Sequence, residues 1–155
     1  MNTIKYIERT RDYYRAQGFK ADYQWARNTE VPMHSLGKPL SECRATIITT
    51  AVAEPDIPKP IRQAASYFFD QAPAAFDVSE LSWDKETTHT DDRQSYFPLE
   101  ILKEFRSEGL IGDLAPRFHF VPTEYSQRHT LDHDAPATLE ACIADEVDVA
   151  FLVPL

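Results

Sequence analysis

The sequence predicts an α/β fold, a partly parallel open sheet with flanking helices, built as a single domain over residues 1–155. Three observations carry this prediction. Residues 45–52 form an apolar, β-branched run of strand length, helix and strand patterns alternate from residue 98 onward, and residues 147–154 are the most apolar run of all. Such alternation is typical of parallel sheets with crossover helices. A chain of 155 residues, 43% of them hydrophobic, is long enough for one such core.

The amino-terminal part, residues 1–41, is predicted to be a helix and a loop that extend the domain. Apolar residues fall near one face over residues 3–17, Asn2 or Thr3 can cap this helix, and Gly18 can end it. The first strand follows, and its apolar composition predicts burial on both faces. The proline-rich segment after this strand is predicted to leave the sheet.

The middle of the chain is predicted to hold a second helix and an uncertain strand. Apolar residues recur at helical spacing over residues 61–69, which favours a short amphipathic helix. Residues 76–83 alternate imperfectly and are interpreted as a strand. Residues 84–95 are polar without periodicity, which predicts a loop.

The carboxyl-terminal part supplies the alternation that defines the fold class. Pro98 suits the first turn of a helix that Gly109 ends, and residues 117–121 are predicted to be a strand. A polar loop is predicted to run from there to about Asp134, and Pro136 to open a last helix. The apolar residues expected to face inward on this last helix are Leu139, Cys142 and Ile143. No helix follows the last strand to cover its face, so the sheet is predicted to be incomplete at its C-terminus.

Charge and composition exclude several classes of partner. The chain has 16 Lys and Arg against 25 Asp and Glu, a net charge of −9, and no basic cluster that would neutralise a phosphate backbone. Nucleic acid and membrane partners are therefore not expected, and no apolar run is long enough to span a bilayer. The start of the chain lacks an apolar signal core, and its two cysteines fit a reducing compartment. We therefore predict a cytoplasmic protein.

The densest polar cluster lies at residues 86–92 and contains His89, Asp91 and Asp92. A histidine two residues from a carboxylate can act as an oriented acid/base pair or supply two metal ligands, and a solvated turn fits the same pattern. Thr49 and Thr50 end the first strand, where their hydroxyls can bind a substrate carboxylate or simply be strand residues. The motifs of nucleotide-binding proteins and serine hydrolases are not present.

The other histidines give weaker signals. His119 alternates with two phenylalanines and is predicted to face the opposite side of its strand. His129 and His133 lie beside two aspartates, which suits a cation site but suits a solvated loop better. From these residues alone, three functions stay open: a catalytic His/Asp site, a metal-dependent hydrolase that uses His89 and Asp91, and a non-catalytic binding or accessory protein.

Ordered blocks of sequence carry a resemblance to a known family. The blocks are the polar segment at residues 88–92, the helix FPLEILKEF with its stop EGLIG, the strand LAPRFHF, the strand VDVAFLVP and the early strand RATIITTA. Residues 42–155 are similar in this order to the selenoprotein B family of glycine, sarcosine, betaine and D-proline reductases. The likeness is strongest from residue 88 onward.

The resemblance implies an oxidoreductase that cleaves a carbon–nitrogen bond with a selenolate, while a thioredoxin-like protein or another thiol reductant supplies the electrons. Its substrate would be a small molecule, an amino acid or betaine. In the glycine and proline enzymes of this family, a pyruvoyl group on a partner subunit activates the amine. The family's last strand runs into a selenocysteine or a cysteine, so the resemblance implies a selenocysteine after Leu155 and no cofactor within this chain. Cys142 is a poor substitute for that nucleophile.

The resemblance also implies roles for individual residues. Carried over by position, His89 is the acid/base or orienting group, Asp91 or Asp92 holds a substrate ammonium, and Thr49 and Thr50 are weaker candidates for substrate binding. Selenocysteine is encoded by UGA, which ordinary translation reads as a stop. We therefore expect this chain to be the truncated N-terminal part of a longer selenoprotein, inactive as a reductase and with an exposed apolar sheet face.

Overall fold

The computed structural model describes residues 5–32, 34–59, 62–79, 86, 89–123 and 126–155. Within it the chain divides into two units, Met1–His34 and Ser35–Leu155. The first unit contains helix α1, Tyr6–Ala16, which confirms the helix predicted over residues 3–17; its predicted caps, Asn2 and Thr3, lie outside the described residues. Aromatic rings of α1 pack against rings of the segment that follows it, and Tyr14 meets Phe19 edge-to-face at 5.6 Å between ring centroids.

The second unit is an open sheet whose strands are mostly parallel, flanked by helices, as predicted from the alternating pattern. The strands are β1, Arg44–Thr49; β2, Ala65–Phe68; β3, Asp113–Leu114; β4, Arg117–Phe120; and β5, Val149–Val153. β1 lies in the centre. β5 pairs with β1 in parallel, β3 and then β4 pair in parallel along the other side of β1, and β2 adds to β4 antiparallel.

One face of the sheet, called the core face here, packs against helix α2, Leu99–Ser107. The residues that this face and α2 bury together include Ala45, Ile47, Leu99, Leu102 and Phe118. Phe118 lies at the centre of a group of aromatic rings, 4.8 Å from the Phe97 ring and 5.5 Å from the Tyr67 ring. Edge-to-face rings add to the apolar burial that dominates core stability. Gly109, with a positive φ of 73°, ends α2 as predicted.

The opposite face, called the α4 face here, carries Ile48, His119 and Leu152. It packs against the last helix, α4, Ala135–Ala144. His119 therefore lies on the other side of β4 from Phe118, as its alternation predicts. A bidentate ion pair joins Arg117 at the start of β4 to Asp145 just after α4, with N–O distances of 2.8 and 2.9 Å.

The helix predicted over residues 61–69 is wrong. Residues 65–68 form strand β2, which pairs with β4 in the register Ala65 to Phe120 through Phe68 to Arg117. A run this short cannot nucleate a helix by itself, whereas pairing with β4 satisfies its backbone and places Tyr67 against the core. Pairing with β4, a strand distant in sequence, therefore outweighs the helical spacing of the apolar residues. Ile61, part of the predicted helix, lies outside the described residues.

The polar loop predicted up to Asp134 is also wrong. Residues 127–144 are helical throughout, as α3, Gln127–His129, a π-helical turn, Thr130–Asp134, and α4. The helix begins at Ser126, whose side chain accepts a hydrogen bond from the backbone N–H of His129 at 3.2 Å. The sequence pattern missed this start because the first two turns are polar and partly exposed.

The inward face predicted for α4 is wrong for Leu139 and Ile143, which are 61% and 67% exposed. The helix instead turns Asp134 and Thr138 to the sheet, with Cys142 half-buried. The Thr138 hydroxyl donates to the backbone carbonyl of Asp134 at 2.8 Å, which allows a small polar side chain to be buried at the contact.

The remaining elements are short. Short turns of 3₁₀ helix lie, among the described residues, at Leu40–Glu42, Phe69–Gln71 and Arg93–Ser95. In the strand predicted over 76–83, Asp77 makes an isolated antiparallel bridge with Val52, and residues 80–83 lie outside the described residues. None of the helices in the described ranges has both the length and the apolar composition that crossing a bilayer requires.

Candidate functional site at the carboxyl edge of the sheet

The carboxyl ends of three parallel strands meet at one edge of the sheet. Thr49, near the end of β1, is in register with Phe120 of β4 on one side and with Val153 of β5 on the other. Open α/β sheets bind their ligands at this edge, because the loops that leave the strands there surround a crevice. This edge is therefore the expected position of groups that bind or react.

Thr49 and Thr50 lie at this edge as the sequence predicts, and both hydroxyls bond within the chain. Thr49 is buried and its Oγ1 accepts a hydrogen bond from the N–H of Ala51 at 3.1 Å. Oγ1 of Thr50 donates to the carbonyl of Leu155 at 3.1 Å and accepts from the N–H of Leu155 at 2.9 Å. The Thr50 side chain therefore fixes the backbone that leaves β5 against the end of β1.

A cavity of about 270 Å³ opens beside the ends of β1 and β4. Its walls come from the segment after β1 and from the start of β2, and they include Val52, Glu54, Ile57, Arg62, Tyr67 and Phe120. The hydroxyl of Tyr67 donates to Oε2 of Glu54 at 3.1 Å. Burial, and after it the Glu54 carboxylate, raises the pKa of Tyr67 to about 12, so this phenol is a stable proton donor at neutral pH.

Arg62 supplies a cation to the same cavity. Its Nε donates to the carbonyl of Ile57 at 2.7 Å, which anchors the guanidinium on the proline-rich segment. Arg62 and Glu54 both line the cavity and give it charges of both signs, suited to a small zwitterion. The sequence reasoning missed this cavity because residues 61–69 were interpreted as a helix; Arg62 and Glu54 carry no motif that would have marked them.

A second cavity of about 470 Å³ lies next to the first, and Gln63 and Ala64 line both. His129 and His133 line it, with ring centroids 4.8 Å apart, and the almost fully buried Asp134 lines it as well. Nε2 of His129 is 3.9 Å from Oδ1 of Asp134. The helical turn thus brings together the histidines and aspartates that the sequence placed in a solvated loop.

His89 and Asp91 form the pair that their spacing predicts, with 3.3 Å between Nδ1 and Oδ2. Both side chains are exposed, at 72% and 89%. Asp92 instead caps the 3₁₀ turn Arg93–Ser95, where its Oδ1 accepts from the N–H of Gln94 at 3.0 Å. Thr87 and Thr88 of this cluster lie outside the described residues. Within the described ranges, no hydrogen bond or ion pair joins His89 or Asp91 to Thr49 or Thr50.

His119 is buried on the α4 face. Its Nδ1 lies 2.9 Å from Oγ of Ser66 on β2, and its Nε2 is buried without a partner among the described residues. Burial lowers the pKa of His119, more than the nearby Asp145 raises it, so the folded chain favours the neutral ring. His119 is therefore a buried imidazole that favours its neutral form, whereas the side chains of His89 and Asp91 are exposed to solvent.

The two cysteines differ in burial, since Cys43 is buried and Cys142 is half-buried. Cys43 is buried and its Sγ lies 3.4 Å from the carbonyl of Pro39. Burial raises the pKa of Cys142, which favours the unreactive thiol. In the described part of the chain, no three His, Cys, Asp or Glu side chains are grouped to hold a metal ion.

No family model matches the chain, and neither a curated protein nor a solved structure matches it significantly.

Proposed function

We propose that this chain is the scaffold of a cytoplasmic, thiol-dependent reductase that cleaves the carbon–nitrogen bond of a small amino acid or betaine, similar to selenoprotein B. The observation that carries the proposal is the pair of hydrogen bonds between Thr50 and the backbone of Leu155. These bonds hold the end of β5 at the edge of the sheet where α/β folds bind ligands.

The resemblance supplies the reactive group in this proposal. A selenocysteine or cysteine directly after Leu155 would emerge beside Thr50, with its direction fixed by those hydrogen bonds. A selenolate is ionised at neutral pH and can attack a substrate carbon. The overall change replaces the C–N bond by a C–H bond. The selenolate displaces the amine, which leaves with the bonding pair and takes up a proton, and a carbon–selenium bond forms. A thiolate of a dithiol then attacks the selenium, so that the carbon keeps the bonding pair and takes up a proton to give the C–H bond. The second thiol of the dithiol attacks the selenium–sulfur bond, which releases the selenolate and leaves a disulfide.

The charged cavity at the carboxyl edge supports a zwitterionic substrate. In the proposal, Arg62 binds the substrate carboxylate, while the Glu54 carboxylate, which accepts from Tyr67, faces the amine end. A volume of about 270 Å³ suits a molecule the size of glycine, betaine or proline.

The resemblance assigns further roles to the exposed His89–Asp91 pair. As an alternative to the Glu54 cavity for the amine end, Asp91 or Asp92 would hold the substrate ammonium, and His89 would donate the proton that the departing amine takes up. Because this pair is exposed, we propose that it works where a pyruvoyl-bearing partner subunit covers it. An amino-acid substrate would need that pyruvoyl group, whereas betaine, a quaternary amine, cannot form an imine with it.

The decisive experiment starts with the coding DNA after the Leu155 codon. We expect UGA followed by an open frame, and we expect the extended product to release amine from glycine, sarcosine, betaine or D-proline with a dithiol reductant. Matched controls are the 155-residue chain and an extended chain with serine at the expected selenocysteine. A different stop codon would reject the proposal, and amine release by the 155-residue chain would show that the nucleophile lies elsewhere.

The substrate cavity is tested in the extended protein by Arg62→Gln. Loss of a charged hydrogen bond to a carboxylate is worth about 1.5–3 kcal/mol, so we expect KM to rise by about tenfold or more with little change in kcat. Lys103→Gln, an exposed change on α2, is the matched control. If Arg62→Gln leaves KM unchanged, the substrate binds elsewhere. Ligand binding without turnover would favour the non-catalytic function.

A further inference from the structure

His129 and His133 lie on one face of the helical segment that precedes α4. They are four residues apart, the spacing at which two histidines of one helix can bind the same metal ion. Their ring centroids are 4.8 Å apart, and both residues line the cavity of about 470 Å³. Two imidazoles of one helix therefore share a space large enough for a metal ion and water molecules.

The backbone at this pair is irregular. Thr130–Asp134 form a π-helical turn, in which each hydrogen bond spans five residues instead of the four of an α-helix. Such turns are rare within helices and are found frequently at functional sites. The turn begins directly after His129 and includes His133, so the irregular backbone coincides with the histidine pair.

Asp134 brings a buried carboxylate to the same cavity. Its side chain is 4% exposed, and burying a carboxylate is costly unless it is paired or takes part in a metal site. The hydrogen bond that Thr138 donates goes to the backbone carbonyl of Asp134 and not to this carboxylate. Oδ1 of Asp134 lies 3.9 Å from Nε2 of His129, which is longer than a hydrogen bond.

A carboxylate beside a histidine ring is a common arrangement behind metal ligands. The ring donates the N–H of one nitrogen to the carboxylate and binds the ion through its other nitrogen, which fixes the orientation of the ring. A small movement of the His129 side chain would bring Nε2 within hydrogen-bond distance of Asp134. Nδ1 of His129 would then be the nitrogen that binds the ion.

The charges around the cavity favour a cation. Asp132 and Glu140 line it together with Asp134, and the described residues that line it include neither lysine nor arginine. Carboxylates around one space attract cations, and the attraction is twice as large for a divalent ion as for a monovalent one. The electrostatic potential of the cavity therefore suits a divalent cation.

We propose that His129 and His133 are the two protein ligands of a divalent transition-metal ion, and that Asp134 is the positioning residue of His129. Imidazole suits zinc, copper and nickel, whereas magnesium and calcium prefer oxygen ligands. With two protein ligands, water completes the coordination from the cavity. Such a site agrees with the finding that, among the described residues, no three side chains are grouped to hold an ion. This inference does not rest on the proposed function.

Zinc binding to the metal-free 155-residue chain tests the site. We expect one Zn²⁺ to bind per chain in isothermal titration calorimetry. His129→Gln and His133→Gln should each weaken binding by about a hundredfold or more, because one imidazole alone lacks the gain that two linked ligands provide. Failure of the parent chain to bind Zn²⁺, or equal affinity in the parent and both variants, would overturn the inference.

His89→Gln is the matched control, because His89 is an exposed histidine close to a carboxylate and does not line this cavity. Its zinc affinity should equal that of the parent. Loss of binding in His89→Gln, with binding retained in His129→Gln, would overturn the inference in favour of a site at residues 86–92.

Nitrogen-15 NMR of the unaltered chain tests the same site without a substitution. Zn²⁺ should shift the ring nitrogen signals of His129 and His133 and leave those of His89 and the buried His119 in place. Shifts confined to other histidines would contradict the proposed ligands.

Asp134→Asn tests the positioning role. The zinc affinity should fall by about 10–100-fold while one ion still binds per chain, because the amide orients the ring of His129 less strongly than the carboxylate. The melting temperature of the metal-free chain should not fall, because the substitution removes a buried charge. A lower melting temperature with unchanged zinc affinity would show that Asp134 is structural and does not position His129.

Discussion

The two faces of the sheet differ in how completely they are packed. The core face buries Ile47, Phe97 and Phe118 fully, and its rings contact one another at 4.8 Å. On the α4 face, His119 is just as fully buried, but Leu152, two strands away across the sheet and in register with the same Ile48, is mostly exposed. One face thus has a complete core, while the other changes from buried to exposed toward β5.

This difference separates residues that determine the fold from residues that are available for an interface. An aromatic cluster resists substitution because the cavity left behind cannot collapse. An exposed leucine on a single strand contributes little to the stability of the chain that exposes it. The contrast therefore predicts that substitutions on the core face lower the free energy of unfolding much more than substitutions on the exposed part of the α4 face.

The largest expected effect is that of Phe118→Ala. Removing this ring from the centre of the aromatic cluster should lower the free energy of unfolding by about 3–5 kcal/mol. Leu152→Ala is the matched change on the exposed side and should cost less than about 0.5 kcal/mol in the 155-residue chain. Chemical denaturation measures both. Equal costs would show that the two faces are packed alike.

The sequence predicted the core face well and the α4 face poorly. β1, α2, β4 and β5 each carry a strong local pattern, and their packing follows from it. The helix over residues 127–144 was missed at its start and given the wrong inward face, because its buried positions are small or polar, as at Thr138. Residues 65–68 were misassigned because their strand depends on β4, a partner distant in sequence.

A smaller effect is expected from the buried imidazole of the α4 face. Burial lowers the pKa of His119, so below its ordinary value of about 6.5 the unfolded chain binds a proton that the folded chain does not. Stability should therefore fall as the pH falls from about 6.5 toward the lowered pKa, by at most about 1.4 kcal/mol per pH unit.

The measurement is the pH dependence of the unfolding free energy in the parent and in His119→Gln, with exposed His89→Gln as the control. The parent and His89→Gln should lose stability alike on acidification, and His119→Gln should lose less. Identical slopes in all three proteins would mean that His119 gains its proton equally easily in the folded chain.

The candidate site could be predicted only in part. The sequence placed Thr49 and Thr50 at the end of β1 and paired His89 with Asp91, since both follow from short spacings. It gave no sign that Glu54, Arg62 and Tyr67 share a cavity, because their contact depends on how the proline-rich segment folds back onto β2. The spacing of residues along the chain predicts where strands end. The residues that line the cavity between those ends are brought together only by tertiary packing.

The smallest expected effect tests the connection between β1 and the end of β5. Thr50→Val keeps the β-branched shape but removes both hydrogen bonds to Leu155, which should cost about 1 kcal/mol. Hydrogen exchange should rise at Leu155, whose N–H donates to Thr50, and should stay unchanged in β4. Thr50→Ser keeps the hydroxyl and should restore protection. If Thr50→Val leaves the exchange at Leu155 unchanged, the hydroxyl does not hold the exit of β5, and the proposed position of a reactive group beside Thr50 loses its structural support.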